Sequence, residues 1–158
     1  GIIAIKLNDG DCLQWVMATS GKDQIVLVTS GGQAIRFSEK DVRAMGRVAS
    51  GVRGIKLKDM DTIVGMGILG ENESKKKGQK ELFVVMENGY GKRSDLIEYK
   101  VQGRGGSGIK TAKVTDKTGN LINAFVVNTE SMEEKDIIII SEKGQVIRLP
   151  FKTCARRP

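Results

Sequence analysis

The sequence contains no histidine and has little cysteine, proline or aromatic residue. The lack of histidine excludes the commonest general base of enzymes, the Ser-His and Cys-His dyads, and imidazole ligands for zinc. The two cysteines, Cys12 and Cys154, lie far apart and form no CxxC motif, which predicts a reducing compartment and no metal site. Aromatic residues make up 4% of the chain, so we expect a mostly aliphatic core.

Long hydrophobic runs are also missing. No apolar run approaches the roughly 20 residues of a membrane-spanning helix, and the N-terminal apolar run is too short for a signal peptide because Lys6 interrupts it. Positive charge is in excess, with 26 Lys and Arg against 19 Asp and Glu, a net charge of +7. This excess favours a polyanionic partner such as DNA, RNA or an acidic membrane surface, and the alternative is a soluble protein that is merely basic.

The sequence repeats itself when residues 23–57 are placed over residues 80–114. The pattern begins a third time at residues 136–151, and residues 1–7 match residues 51–57. We therefore predict one repeat domain, divided into a back half-blade at 1–21, full repeats at 22–70 and 80–128, and a front half-blade at 135–158. The matched pairs, each 57 residues apart, are Gly32/Gly89, Arg36/Arg93, Asp41/Glu98, Arg47/Arg104 and Gly51/Gly108.

Each repeat is predicted to contain about four short β-strands, with little helix beyond a turn at residues 38–45. Apolar runs such as Ile25–Val28 precede Gly-Gly, Asn-Gly or Lys-Gly hairpin signals, and a return strand follows. Strands at 52–57 and 62–69 complete the repeat, with counterparts at 109–114 and 121–127. Four strands in roughly 50–57 residues is the size of a propeller-like blade, so the predicted class is all-β.

The stretch Gly103-x-Gly105-x-x-Gly108 has the spacing of a dinucleotide-binding loop. Such a loop must open a helix, whose N-terminus holds the pyrophosphate, but the residues after Gly108 predict a strand. The two full repeats share only the pattern GR-x-x-x-G, at Gly46–Gly51 and Gly103–Gly108. Two interpretations remain: glycines that serve tight turns, or a row of Gly-Arg loops that presents Arg47 and Arg104 on one rim.

Several segments resemble the family of C-terminal domains of the DNA gyrase A subunit. They are residues 39–57, residues 87–99 and residues 103–111, and the resemblance covers essentially the whole chain. It implies a β-pinwheel, an array of four-stranded propeller-like blades that exchange strands, incomplete here at both ends. Residues 102–108 look like a degenerate copy of the family's glutamine- and glycine-rich box, and the last repeat departs from the pattern after Phe151.

The resemblance implies a bacterial, cytoplasmic, nucleoid-associated protein that wraps double-stranded DNA and supports ATP-dependent negative supercoiling. Its partners would be DNA and the remainder of the gyrase A and B subunits, with no membrane partner. It implies no catalytic centre, no metal and no cofactor in this chain, since ATP and Mg act elsewhere in the parent enzyme. Because basic residues recur at equivalent repeat positions, we predict phosphate contacts without base reading. The predicted DNA-binding residues are Arg36, Arg43, Arg47, Arg53, Lys92, Arg93, Lys100, Arg104, Lys110 and Arg148.

Other interpretations stay open at this point. The domain could belong to the related topoisomerase IV A subunit, or it could be a propeller-like protein-interaction module. The arginines of the return strands could pair with neighbouring acids rather than with DNA. Tyr90 is interpreted as a packing residue, and the run Lys75–Lys77 as a solvated loop. Met45, Met60, Met66 and Met86 are interpreted as core or edge fillers.

Overall fold

A computed structural model describes residues 1–73 and 77–157, so Lys75 and Lys76 of the predicted lysine run lie outside the described residues. The described chain is built from short strands, which confirms the all-β class. Three single 3-10 turns lie at Glu39–Asp41, Leu96–Glu98 and Phe151–Thr153. The regular elements are β1 (Gln24–Thr29), β2 (Gln33–Ser38), β3 (Ile63–Leu69), β4 (Lys80–Met86), β5 (Gly91–Asp95), β6 (Ile109–Lys110), β7 (Leu121–Asn128), α1 (Thr129–Met132), β8 (Asp136–Ile140) and β9 (Val146–Pro150).

Among the described residues, the strands form three antiparallel sheets. Blade 1 has the strand order β3-β1-β2-β6, blade 2 has the order β5-β4-β7, and blade 3 is the pair β8-β9. Each blade begins with a hairpin whose turn holds a glycine at positive φ, namely Gly32, Gly89 and Gly144. Glycine adopts this left-handed backbone without a steric penalty, so the predicted turn signals produce the observed hairpins. In the described part of the chain, no helix has the length and apolar character needed to cross a bilayer.

Strand exchange links blade 1 to the second repeat. Strand β6 comes from the second repeat but pairs with β2, with Ile109 opposite Ala34 and Lys110 opposite Gln33. Gly108 precedes it at a φ of +70°, and a Cβ there would lie 2.5 Å from the carbonyl oxygen of Ala34. A close backbone approach of this kind admits only glycine, so the GxGxxG-like stretch serves strand exchange rather than a helix N-terminus.

Two of the three buried clusters of the described chain lie between blades, and the third lies within the first repeat. The interface of blades 1 and 2 contains twelve buried residues that come from both sheets and from the chain between them. Phe83, Val127 and Phe151 form the smaller core between blades 2 and 3, where Phe83 and Phe151 meet edge to face with ring centroids 5.7 Å apart. Each blade therefore depends on its neighbour to bury its apolar face.

Two predicted strands are shorter than expected or absent. Of residues 109–114 only Ile109–Lys110 form a strand, and residues 52–57 form none. A short extended segment becomes a strand only where a sheet edge offers hydrogen bonds, as β2 does for β6. Among the described residues no such edge lies beside residues 52–57, and Ile55 packs instead against Ile35 and Phe37.

A tight turn precedes the back strand β3 of the first full repeat, and the N-terminal half-repeat contains a copy of this turn. Gly10 occupies the left-handed position of this turn in the N-terminal copy, with a φ of +77°, and the Asp11 amide closes the turn on the Asn8 carbonyl oxygen at 3.1 Å. The equivalent residue of the first full repeat is Met60, at a φ of +63°. Met60 is 98% exposed, so its interpretation as a core or edge filler is wrong, whereas Met86 is buried as predicted.

The carboxylate of Asp61 orders the turn that contains Met60. It accepts hydrogen bonds from the Ser30 hydroxyl at 2.7 Å, the Gly31 amide at 2.8 Å and the Thr62 amide at 3.0 Å. Burial by itself raises the pKa of Asp61, but the hydrogen bonds to the carboxylate outweigh it and hold the pKa below the ordinary value of 3.8. The turn is therefore tied to the β1-β2 hairpin through one charged group.

Replacing Asp61 with asparagine is expected to lower the free energy of unfolding by about 1–2 kcal/mol at pH 7. Because the folded-state pKa lies below the unfolded value, the ionised carboxylate stabilises the fold above about pH 4, and this stability is lost as the pH falls through the folded pKa. Urea unfolding of wild type and Asp61→Asn at pH 7 and pH 3 should show a smaller difference at pH 3. An equal difference at both values would contradict the argument, and Asp59→Asn in the same exposed turn is the control.

Candidate nucleic-acid interface

Arg36 lies in a blade-to-blade contact. It is 4% exposed, its Nε donates to Oε1 of Gln24 at 2.6 Å, and its Nη1 donates to the carbonyl oxygens of Leu96 at 2.7 Å and Tyr99 at 3.2 Å. Burial lowers the pKa of the guanidinium, and the Asp95 carboxylate partly opposes this. Arg36 thus holds blade 1 to the 3-10 turn of the second repeat and is buried there, although its repeat position had predicted a contact with DNA phosphates.

Arg93 makes the equivalent contact between blades 2 and 3. Its Nε donates to the Cys154 carbonyl oxygen at 3.1 Å, and its guanidinium carbon lies 4.9 Å from the ring centroid of Phe151. Its Nη1 pairs with the fully buried carboxylate of Glu81 at 3.3 Å, and Arg156 pairs with the other oxygen of Glu81 at 2.8 Å. Gln24 and Glu81 occupy matching repeat positions, so the same arginine position joins successive blades.

Two further predicted residues also have protein partners. Arg104 donates from Nε to the Asp41 carbonyl oxygen at 3.1 Å and from Nη1 to the Arg53 carbonyl oxygen. Arg148 pairs with Asp136, although its side chain is 75% exposed. Pairing with an acid therefore holds for Arg93 and Arg148, whose partners Glu81 and Asp136 lie at the start of the front strands.

The remaining predicted cations are at the surface. Five of them are exposed: Arg43, Arg47, Arg53, Lys100 and Lys110. A turn closed by a hydrogen bond from the Ala49 amide to the Gly46 carbonyl at 3.0 Å places Arg47 at its tip. The second GR loop is held to blade 1, because the Gly105 amide donates to Gly54 and the Lys56 amide donates to Gly106, both at 2.8 Å.

A groove of about 470 Å³ between β5 and the segment that follows β6 is lined by four cationic residues. We call it the basic groove, and its cations are Lys92, Lys110, Lys113 and Arg157. Among the described residues that line it, none is acidic. Burial lowers the pKa of Lys92, and the Glu98 carboxylate opposes this shift. A concave surface with charge of one sign focuses its field and attracts an anionic ligand.

Sequence reasoning found Lys92 and Lys110 but missed Lys113 and Arg157. Lys113 matches Lys56 of the first repeat, a coincidence of basic residues that could have indicated it. Arg157 lies where the third repeat departs from the pattern, so repeat alignment carried no signal for it. Tyr90 also lines the groove, with the Lys117 ammonium 5.7 Å from its ring centroid.

The fold and this surface define a class of protein: a repeat domain of propeller-like blades that exchange strands and carry basic residues. Comparison with known proteins agrees. The family model described as the DNA gyrase C-terminal domain, a β-propeller, matches residues 23–69, 80–128 and 135–153. The chain belongs to the family of DNA gyrase C-terminal domains.

Relatives and solved structures support this assignment. The chain is 43% identical over 152 residues to the DNA gyrase A subunit of Ureaplasma parvum, covering 96% of this chain and 17% of that protein. It is 42% identical over 149 residues to the DNA gyrase A subunit of Staphylococcus epidermidis, covering 94% and 16%. The chain therefore spans about one sixth of these relatives.

A solved DNA gyrase A C-terminal domain superposes with a TM-score of 0.78 at 28% identity, covering 99% of this chain and 50% of that one. A C-terminal domain of DNA topoisomerase IV superposes with a TM-score of 0.84 at 22% identity, covering 98% and 45%, and shows the fold alone.

Proposed function

We propose that this domain binds double-stranded DNA through its phosphates and bends it along the blades, as part of a gyrase that introduces negative supercoils. The observation that carries this proposal is the basic groove, a concave surface lined by four cationic residues. Phosphates are spaced regularly along a duplex whatever its sequence, so such a surface binds without reading bases.

The exposed arginines extend the proposed DNA path beyond the groove. Arg43, Arg47 and Arg53 lie on or beside the first GR loop. Lys110 lines the groove and also lies in β6, which pairs with β2 of blade 1. Bending 20–30 bp by 40–90° costs on the order of 1–6 kcal/mol, so several such contacts must act together. Arg36, Arg93 and Arg104 contribute by holding the blades in register, because their guanidinium groups bind neighbouring blades.

The remaining partners would be the other parts of the same enzyme. The rest of the gyrase A subunit, together with the B subunit, would supply DNA cleavage, and ATP and Mg would act there rather than in this domain. The setting would be the bacterial cytoplasm, at the nucleoid. The domain itself would contribute binding energy and geometry to a type II topoisomerase, with no reaction of its own.

Replacing Lys110 and Lys113 with alanine is expected to weaken duplex DNA binding on the order of tenfold or more at low salt. Each lost phosphate contact should reduce the slope of log K against log salt by about 0.9, so the double variant should lose about 2. The measurement is duplex affinity by fluorescence anisotropy across a salt series, with two unrelated duplex sequences.

The matched control is Lys22→Ala with Lys143→Ala, which removes the same charge from exposed sites outside the groove. Equal losses in both double variants would mean that only net charge matters and would contradict the groove. A loss confined to one of the two DNA sequences would contradict backbone recognition.

A further inference from the structure

Met60 occupies a backbone position that favours glycine. It is the only non-glycine residue with positive φ among the described residues, and its counterpart in the N-terminal copy of the turn is Gly10. An L-residue with a side chain is disfavoured in this left-handed region because Cβ crowds the neighbouring carbonyl oxygen. The fold therefore tolerates a strained residue in one copy of a turn that uses glycine in the other copy, at Gly10.

The side chain at this strained position is not used for packing. Met60 is 98% exposed, more than any other large apolar residue of the described chain. Methionine is ordinarily a core filler, and Met86 in this protein follows that rule. A residue that is both strained and exposed stabilises neither the turn nor the core, and such outliers concentrate at functional positions.

Hydrogen bonds hold the turn that carries the Met60 side chain. Asp61 binds the hairpin of blade 1 through Ser30 and Gly31, and the Asp61 amide donates to the Lys58 carbonyl at 3.1 Å. The adjoining backbone is held as well, because the Lys56 amide donates to Gly106 of the second GR loop at 2.8 Å. Met60 thus projects from a turn that is anchored on both sides.

Two exposed lysines closely precede Met60 in the chain. Lys56 and Lys58 are exposed beside it, and together with Asp59 they border a shallow depression that also includes Ser107 of the second GR loop. Asp59 is the exposed acid of this turn, while the carboxylate of Asp61 is directed toward the hairpin by its hydrogen bonds. An exposed apolar side chain with flanking lysines matches the wedge of DNA-bending proteins, in which the cations hold phosphates on either side.

We propose that Met60 is an apolar wedge that enters the minor groove of bound duplex DNA and partly unstacks one base step, which favours the bend. This inference rests on the proposed DNA-binding function and adds a specific element to it. Proteins that bend DNA insert residues such as Met, Leu, Ile or Phe between base pairs and offset the cost of unstacking with the contacts that the bend permits. Flexible pyrimidine–purine steps would be the preferred sites of insertion.

The test compares Met60→Gly with Met60→Leu and the wild type. Relief of backbone strain should raise the urea midpoint of Met60→Gly above that of the wild type, so loss of folding cannot explain a loss of function. Bending is measured by energy transfer between dyes at the ends of a 30-bp duplex, and unstacking by the fluorescence of 2-aminopurine placed at central TA and CA steps. We expect wild type and Met60→Leu to bend the duplex and raise the 2-aminopurine signal.

Met60→Gly should retain duplex affinity within about threefold while losing most of the bend and of the 2-aminopurine signal. Wild-type bending and wild-type signal in Met60→Gly would overturn the wedge and leave Met60 as a contact for another protein. Absence of duplex binding by the wild type would instead overturn the proposed function itself. The two failures are therefore distinguishable in the same experiment.

Discussion

Replacing Arg93 with alanine is expected to lower the free energy of unfolding by about 3–5 kcal/mol. The change removes one of the two cations that neutralise the fully buried carboxylate of Glu81, and it also removes the hydrogen bond to Cys154 and the contact over Phe151. A buried charge that loses a partner is costly because no water replaces that partner. Urea unfolding at neutral pH measures the effect.

Arg148→Ala is the matched control, since Arg148 holds the same repeat position and pairs with Asp136 at the surface. An exposed ion pair contributes little, so this variant should lose at most about 1 kcal/mol. Similar losses in the two variants would show that the repeat position rather than the burial decides the stability, contrary to our explanation. A small loss in Arg93→Ala would show that the blade 2–blade 3 contact does not depend on this arginine.

Replacing Gly65 with alanine is expected to destabilise the protein by about 1–3 kcal/mol through overpacking. A Cβ at Gly65 would lie 2.2 Å from the carbonyl oxygen of Ala124 and 2.8 Å from its Cβ, so β3 and β7 must move apart. This contact joins blades 1 and 2, so moving β3 away from β7 should also expose part of the larger core. Urea unfolding measures this loss of stability, and we expect the m-value to be the same in the variant and the wild type.

Gly46→Ala provides the comparison, because a Cβ at Gly46 has no atom within 4 Å among the described residues. That variant should stay within about 0.5 kcal/mol of the wild type. If Gly65→Ala is as stable as Gly46→Ala, the close approach of the two strands is not a constraint on blade spacing.

Local features of the fold were predictable from the sequence because they depend on neighbouring residues. The glycines at 32, 89 and 144 indicate hairpin turns through their backbone freedom, and the flanking apolar runs indicate strands. The repeat pattern also indicated which segments of the chain are equivalent. The residues at 52–57 show the limit of this reasoning, since extended character becomes a strand only where another sheet supplies an edge.

The candidate site was predicted less completely, and the arginines show why. Alignment places Arg36, Arg93 and Arg148 at one repeat position, which indicates a common role but not whether it faces protein or solvent. The structure places the first two between blades and the third at the surface. Lys113 and Arg157 joined the basic groove only when residues far apart in sequence came together around β5.

The sequence by itself determined the all-β class, the repeat length, the hairpin turns and the excess of positive charge, because composition and short-range periodicity encode them directly. Only the tertiary structure decided which cations are structural and which are available to a ligand. That distinction depends on strand exchange and blade stacking, which bury one face of each sheet and leave another in solvent. Met60 shows the same division: its place in the repeat is visible in the sequence, but its left-handed backbone and its exposure are properties of the folded turn.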